Sequence, residues 1–104
     1  MSRIDQLKSL LAAEPDDVFL HFALAMELAK AGQSNEALSH FGHVIELDPD
    51  YTAAYVQKAR LFIEMKQPVA ARQTITAGLE AARRTAESHT AEKLDEMLQG
   101  LGDQ

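Results

Sequence analysis

The sequence predicts an all-α fold in which helices pack against one another as antiparallel pairs. Apolar residues such as Ala37, Phe41 and Ile45 recur at the three- and four-residue spacing of an amphipathic helix. Gly32 and Pro49 bound this stretch, because glycine tolerates a positive φ at a helix end and proline cannot continue a helix. An offset of about 34 residues brings the apolar positions of a second stretch into register with the first, which is typical of a helical repeat.

The predicted helices follow one another with short connections. In chain order they cover residues 3–13, 17 to about 31, 35–47, 52 to about 66, 68 to about 85 or 87, and 90–99. Polar side chains next to the predicted starts are expected to cap the later helices: Asp16 or Asp17, Gln33 or Ser34, Asp50 or Thr52, and Ser88 or Thr90. The helix from Pro68 is expected to be long because no proline stands near residue 83, and Gly100 is expected to end the last helix.

Particular residues carry the repeat. The offset pairs His21 with Tyr55, Ala25 with Ala59, Leu28 with Phe62, Ala37 with Ala71, and Phe41 with Ile75. A preceding half-repeat aligns Leu7, Leu10, Leu11 and Pro15 with Phe41, Val44, Ile45 and Pro49. The first full repeat resembles the tetratricopeptide repeat family at Leu24, Ala25, Leu28, Gly32, Ala37, Phe41, Asp48 and Pro49. The second repeat departs from the family motif at Lys58, Lys66 and Arg83.

The resemblance implies a right-handed superhelix of antiparallel helix hairpins. It would contain about two full repeats, preceded by an N-terminal half-repeat helix and followed by a C-terminal capping helix. Residues 1–104 would then form one domain, divided into 1–16 (half-repeat helix), 17–51 (repeat one), 52–87 (repeat two) and 88–104 (capping helix and tail). Small residues such as Ala25, Ala37 and Gly78 would allow the helix backbones to approach closely.

Charge and composition narrow the range of partners. The chain of 104 residues carries a net charge of −6, and this charge is unevenly distributed. Residues 1–50 contain three Lys or Arg against nine Asp or Glu, whereas residues 51–104 contain seven of each. An acidic half disfavours binding to nucleic acid or to an anionic membrane, since both require clustered Lys and Arg. The sequence has no cysteine, so disulfides and thiolate chemistry are excluded.

The expected location is the cytoplasm. The N-terminal stretch lacks the apolar core and small-residue cleavage site of a secretory signal peptide. No run approaches the roughly 18 apolar residues that a membrane-spanning helix needs. We therefore expect a soluble, cytoplasmic protein.

The strongest candidate for a functional site is an apolar surface on the leading helices. Phe19, Phe22 and Met26 lie at i, i+3 and i+7 on one side of the helix that opens repeat one, outside the packing positions of the family. The resemblance implies that this side faces a concave groove, which would be continued in repeat two by Val56, Arg60 and Ile63. The predicted role is to bind a peptide or helix of a partner protein. The alternative is that the first or the last helix of the chain covers these side chains.

The basic residues of this surface predict little specific recognition. Arg60, with Lys30 and Glu64 nearby, could orient a carboxylate, but we expect these side chains to be solvated ion pairs. Some members of the family hold the terminal carboxylate of a partner with Lys and Asn on the leading helices. The corresponding positions here are Phe22, Met26, Gln57 and Arg60, so we do not expect that mode of binding.

Metal binding and catalysis find little support. Glu36, His40 and His43 share one helix face, and this spacing could hold zinc or nickel, but no fourth ligand is evident and we expect a solvated polar face. His21 is expected to fill space between helices. Ser39 and His43 could touch, yet no orienting acid or oxyanion donor accompanies them, so no catalytic residues are predicted.

The sequence therefore predicts a protein–protein interaction module without enzymatic activity, cofactor or metal. Its expected partner is a protein or peptide bound in the apolar groove. Two alternatives remain: the same surface could pair with a second copy of the chain, giving a homodimer, or Glu36, His40 and His43 could form a metal-responsive module.

Overall fold

The computed structural model describes residues 2–102, and their regular structure is entirely helical. The helices are α1 (Arg3–Ala13), α2 (Val18–Lys30), α3 (Ser34–Leu47), α4 (Thr52–Glu64), α5 (Pro68–Arg84) and α6 (Ser88–Leu101). No strand occurs among these described residues, so the predicted all-α class is confirmed. The helices divide into two compact units: the first contains α1–α3 and ends at Asp48, and the second contains α4–α6 and begins at Pro49.

The first unit is a helix hairpin, α2–α3, with α1 packed against α2. Each helix contributes one buried stripe at helical spacing: Leu7 and Leu11 from α1, Leu24, Ala25 and Leu28 from α2, and Ala37, Phe41 and Val44 from α3. The ring of Phe22 meets the ring of Phe41 edge to face, with 5.8 Å between the ring centroids. These stripes agree with the apolar spacing except at Leu10, which the half-repeat aligned with the buried Val44 but which is 52% exposed.

The second unit is the hairpin α4–α5, with α6 packed mainly against α5 and also against α4. Its core is a cluster of buried side chains from all three helices: Val56, Ala59, Ile75, Leu79 and Leu94. Partly buried apolar residues of α6 pack around this cluster: Ala91, Met97, Leu98 and Leu101. The charged residues Glu92, Lys93, Asp95 and Glu96 of the same helix are exposed.

Gly78 allows the helices of the second unit to approach closely. A Cβ atom placed on Gly78 would lie 2.8 Å from Cβ of Tyr55 on α4 and 3.0 Å from Cδ1 of Leu94 on α6. The distance to Tyr55 is shorter than carbon atoms tolerate, and the tip of the Leu94 side chain would also have to give way, so a side chain at this position requires α4 and α5 to move apart.

One type of turn joins α2 to α3, α4 to α5, and α5 to α6. In each turn a single residue has a positive φ: Gly32 (78°), Lys66 (59°) and Ala86 (56°). The residue after it donates its N–H to the carbonyl five positions earlier, in the bonds Gln33–Leu28, Gln67–Phe62 and Glu87–Ala82, each 2.9 Å. The residue with the positive φ also donates its own N–H to the carbonyl three positions earlier. The two bonds together form a Schellman motif. The turn therefore has the same geometry at Lys66, where the repeat departs from the family's glycine.

The predicted helix starts are partly wrong. Asp17 caps α2 as predicted, because the N–H of Leu20 donates to its Oδ1 at 2.9 Å. The predicted caps of α4 and α6 are incorrect: Tyr51 and Glu87 occupy the cap positions, and neither side chain makes a capping bond. Thr52 instead donates its hydroxyl to Glu87, which lies 35 positions away in the chain. A bond between residues so far apart leaves no local signal in the sequence.

The last helix is longer than predicted. It begins at Ser88 and continues through Gly100 to Leu101, whereas the apolar spacing predicted 90–99 with Gly100 at its end. Gly102, with a φ of 66°, follows the helix instead. The Schellman turn at Ala86 explains the early start, because it begins a new helix two residues after the positive φ.

Candidate functional site

An apolar surface extends along α2 in the first unit. The side chain of Phe19 is 66% exposed in the first turn of the helix, and Phe22 and Met26 are half-buried. The opposite side of α2 carries the core residues Leu24 and Leu28. Since α2 is apolar on nearly every side, one face packs in the core and another remains accessible. Helical spacing puts Phe19, Phe22 and Met26 on one side of α2, where Phe19 is exposed and Phe22 also packs on Phe41 of α3.

The candidate residues of α4 differ in their exposure to solvent. Val56 is only 6% exposed and belongs to the core cluster of the second unit, together with Leu94 of α6. Ile63 is 36% exposed near the end of α4, and Arg60 is exposed with its Nη1 3.4 Å from Oε1 of Gln57. Arg60 and Ile63 are therefore accessible for contact, whereas Val56 supports the helix from within the core.

A hollow of about 390 Å³ lies beside Ile63 in the second unit. It is lined by residues of the α4–α5 connection and of the end of α6: Ile63, Lys66, Gln67, Pro68, Gly100 and Leu101. The sequence could not predict this hollow, because its two sides are more than 30 residues apart and the residues of α6 were expected to lie beyond the helix end.

Three histidines lie together in the first unit, where the sequence suggested only a polar helix face. Nδ1 of His21 is 3.0 Å from Nδ1 of His40, and the ring of His43 lies 5.2 Å from that of His21 between centroids. His21 is buried, as expected of a residue that fills space between helices. Glu36 forms an ion pair with Lys8 of α1, with 3.1 Å between Oε2 and Nζ. Within residues 2–102, no group of three or more His, Asp or Glu side chains is arranged to hold a metal ion.

Electrostatic surroundings disfavour a charge on His40. Burial lowers the pKa of its imidazole below the usual 6.5, and the neighbouring His21 acts in the same direction. Glu36 opposes this effect, while His43 and Lys8 add to it. His40 therefore stays neutral to a lower pH than a solvated histidine.

Hydroxyl groups surround the carboxylate of Glu87 at the start of α6. Thr85 donates to Oε2 at 2.7 Å and Thr52 donates to Oε1 at 2.9 Å. These two bonds lower the pKa of Glu87, because they stabilise the ionised form. Nearby, Arg84 pairs with Asp50 at 2.9 Å between Nη2 and Oδ1. The network connects α4 with the α5–α6 turn, and the sequence offered no signal for it.

None of the helices within residues 2–102 combines the length and the apolar character that crossing a membrane would require.

Comparison with known proteins identifies the repeat. The family profile described as tetratricopeptide repeat matches residues 28–94, which is more than half of the chain. The chain is 38% identical over 64 residues to DnaJ homolog subfamily C member 3 from Bos taurus. That match covers 62% of this chain and only 13% of the relative, so the chain spans a small part of the length of this curated protein.

Solved structures have the same fold. A tetratricopeptide repeat domain protein from Salinibacter ruber superimposes with a TM-score of 0.79 at 28% identity, covering 85% of this chain and 89% of that one. The TPR2B domain of yeast Sti1, solved as a complex with pHsp70, superimposes with a TM-score of 0.86 at 23% identity, covering 94% of this chain and 78% of that one. At such identity the second comparison supports the fold alone.

Proposed function

Because the chain belongs to the tetratricopeptide repeat family, we propose that it is a protein-interaction module that binds a peptide or helix of a partner protein. A domain of the same fold, from yeast Sti1, was solved as a complex with pHsp70. The proposal involves no catalytic chemistry and no cofactor. The partner is a protein and not a nucleic acid or a membrane, since residues 1–50 contain only three Lys or Arg against nine Asp or Glu. The proposed location is the cytoplasm.

The observation that carries the proposal is the exposure of Phe19. An aromatic side chain that remains 66% exposed gains free energy when a partner covers it, and aromatic residues are frequent hot spots of binding. Phe22 and Met26 extend the apolar surface along α2. In the second unit, Ile63 offers a further apolar contact and Arg60 a charged one. Val56 acts from the core by holding α4 in place.

The test is a quantitative pull-down with the native chain, a Phe19→Asp variant and a Val69→Asp variant. Val69 is the matched control, because it is 67% exposed but lies on α5, outside the proposed surface. A partner that is captured by the native chain and by Val69→Asp, but not by Phe19→Asp, supports the proposal. Equal capture by all three chains would place the binding surface elsewhere.

Self-association through the same surface is the competing outcome, and light scattering over a dilution series distinguishes it. A monomer at every concentration agrees with binding to a different protein. A dimer that dissociates in Phe19→Asp but persists in Val69→Asp would assign the surface to a homodimer.

A further inference from the structure

The same hydrogen bond occurs in both units with different donors. In the second unit, the hydroxyl of Tyr55 donates to the carbonyl of Pro49 at 2.7 Å. In the first unit, 34 positions earlier, Nε2 of His21 is 2.7 Å from the carbonyl of Pro15. Each bond ties a leading helix to the proline turn before it. An imidazole has a second ring nitrogen, which a tyrosine hydroxyl lacks, so the donor of the first unit can enter a further hydrogen bond.

The hydrogen bonds of His21 determine where its protons lie. A carbonyl oxygen only accepts, so Nε2 of His21 must carry a proton in order to donate to Pro15. In the neutral ring Nδ1 of His21 is then an acceptor, and Nδ1 of His40 must donate across the 3.0 Å between them. The neutral pair therefore contains His21 as the Nε2–H tautomer and His40 as the Nδ1–H tautomer.

The hydrogen bond between His21 and His40 can survive the uptake of one proton but not of two. A first proton can enter at the remaining nitrogen of His40 without breaking the contact between the two Nδ1 atoms. A second proton would place a hydrogen on both Nδ1 atoms, and two donors 3.0 Å apart repel each other. The hydrogen bond between α2 and α3 would then be lost.

The surroundings of His40 oppose even the first charge. The ring of His43 on α3 lies 5.2 Å from His21 and 6.1 Å from His40 between centroids, and its own protonation would add a like charge. Lys8 on α1 adds a further positive charge, which is paired with Glu36 at 3.1 Å. Glu36 favours protonation of His40, but burial outweighs it, so the pKa of His40 is lowered.

We propose that His21, His40 and His43 form a proton-sensitive latch, which holds α2 against α3 and against the turn that follows α1 at neutral pH and weakens in mild acid. The latch closes through the chain of hydrogen bonds from His40 to His21 to Pro15. A solvated imidazole takes up a proton near pH 6.5. The folded pair, by contrast, cannot hold two added protons without losing the bond between the two Nδ1 atoms. Acid therefore shifts the equilibrium towards the opened first unit.

The sign and size of the effect follow from proton linkage. Groups that remain neutral in the folded state contribute stability above about pH 6.5, and this stability is lost as the pH falls below that value. Each proton that the folded unit cannot accept raises the unfolding equilibrium constant about 30-fold between pH 8 and pH 5. This proposal does not depend on which partner the module binds.

The second repeat supplies the variant that removes the latch. Its residues at the equivalent positions are Tyr55, Thr74 and Ala77, so the test variant is His21→Tyr with His40→Thr and His43→Ala. Urea unfolding at pH 8 and pH 5 is compared between this variant and the native chain. The native unfolding constant should rise at least about 30-fold more than that of the variant. His89→Gln is the control, because His89 is fully exposed on α6, and it should behave as the native chain does.

Two results would overturn the proposal. One is an equal pH dependence of stability in the native chain and the latch variant. The other comes from imidazole ¹⁵N spectra of the native chain, which require no substitution and so remain decisive if the variant does not fold. At pH 8 these spectra should show His40 as the Nδ1–H tautomer and His21 as the Nε2–H tautomer, and the opposite assignment would contradict the latch.

Discussion

Gly78 shows how a single residue controls the packing of a whole unit. Replacing it with alanine places a methyl group 2.8 Å from Cβ of Tyr55, inside the contact distance of two carbons. We expect Gly78→Ala to lower the free energy of unfolding by about 1–3 kcal/mol, because α5 would have to move away from α4. Urea unfolding at neutral pH measures this loss.

Gly42 provides the control for the Gly78→Ala substitution. It lies in the interior of α3 and a Cβ there would meet no atom within 4 Å. Gly42→Ala should therefore stabilise the protein by about 0.5–1 kcal/mol through helix propensity alone. If both substitutions shifted stability in the same direction, helix propensity and not close packing would dominate at Gly78.

At the scale of the element, the three Schellman turns differ in strain. Lys66 and Ala86 adopt the positive φ that Gly32 adopts without a Cβ clash. We expect Lys66→Gly and Ala86→Gly each to raise the free energy of unfolding by about 1 kcal/mol, since the left-handed conformation penalises a side chain. Thermal or urea unfolding measures the gain. Gly32→Ala should cost a similar amount, and no change in any of the three variants would mean that the turns relax freely.

The start of α6 depends on the ionised form of Glu87. Hydrogen bonds from Thr85 and then Thr52 lower the pKa of this carboxyl below its usual 4.5. Its contribution to stability is therefore present above that value and is lost as the pH falls through the folded-state pKa. Removing one donor with Thr52→Val should raise the pKa of Glu87 towards its usual value, which ¹³C NMR titration of the carboxyl detects.

Thr76→Val is the matched control for this experiment. The hydroxyl of Thr76 is exposed and donates only to the carbonyl of Arg72 in its own helix. Its removal should leave the titration of Glu87 unchanged. A shift of the same size in both variants would show that the Thr52 bond does not act on the carboxylate.

At the scale of the whole molecule, affinity and stability should respond to different residues. Phe19 is largely exposed, so Phe19→Ala should change the free energy of unfolding by less than about 0.5 kcal/mol. Binding of the captured partner should nevertheless weaken by about tenfold or more, as expected when an aromatic hot spot is truncated. Calorimetric titration together with urea unfolding separates the two effects.

Phe41→Leu is the complementary control, a substitution expected to affect stability but not binding. The side chain of Phe41 is 1% exposed, so the substitution should reduce stability while leaving binding of the folded protein near its native strength. If Phe19→Ala lost stability and affinity together, its role would be structural and α2 would have no separate binding face.

Much of this protein was determined by local features of the sequence. Helical spacing of apolar residues placed all the helices of residues 2–102, and the motif around Leu24, Gly32, Phe41 and Pro49 identified the repeat family. These predictions succeed because a helix and its buried stripe depend on residues three or four positions apart. The contact role of Phe19, Phe22, Met26, Arg60 and Ile63 stays a prediction until a partner is identified.

Only the tertiary structure decided which side chains from distant parts of the chain meet. It placed Val56 in the core beside Leu94, joined Thr52 to Glu87, and brought His21 against His40. In each of these pairs the two residues are separated by 19 or more positions. A periodic pattern specifies that a residue lies on the buried or the open side of its helix. It does not specify the atom that will occupy the opposite side, because that depends on how the helices pack.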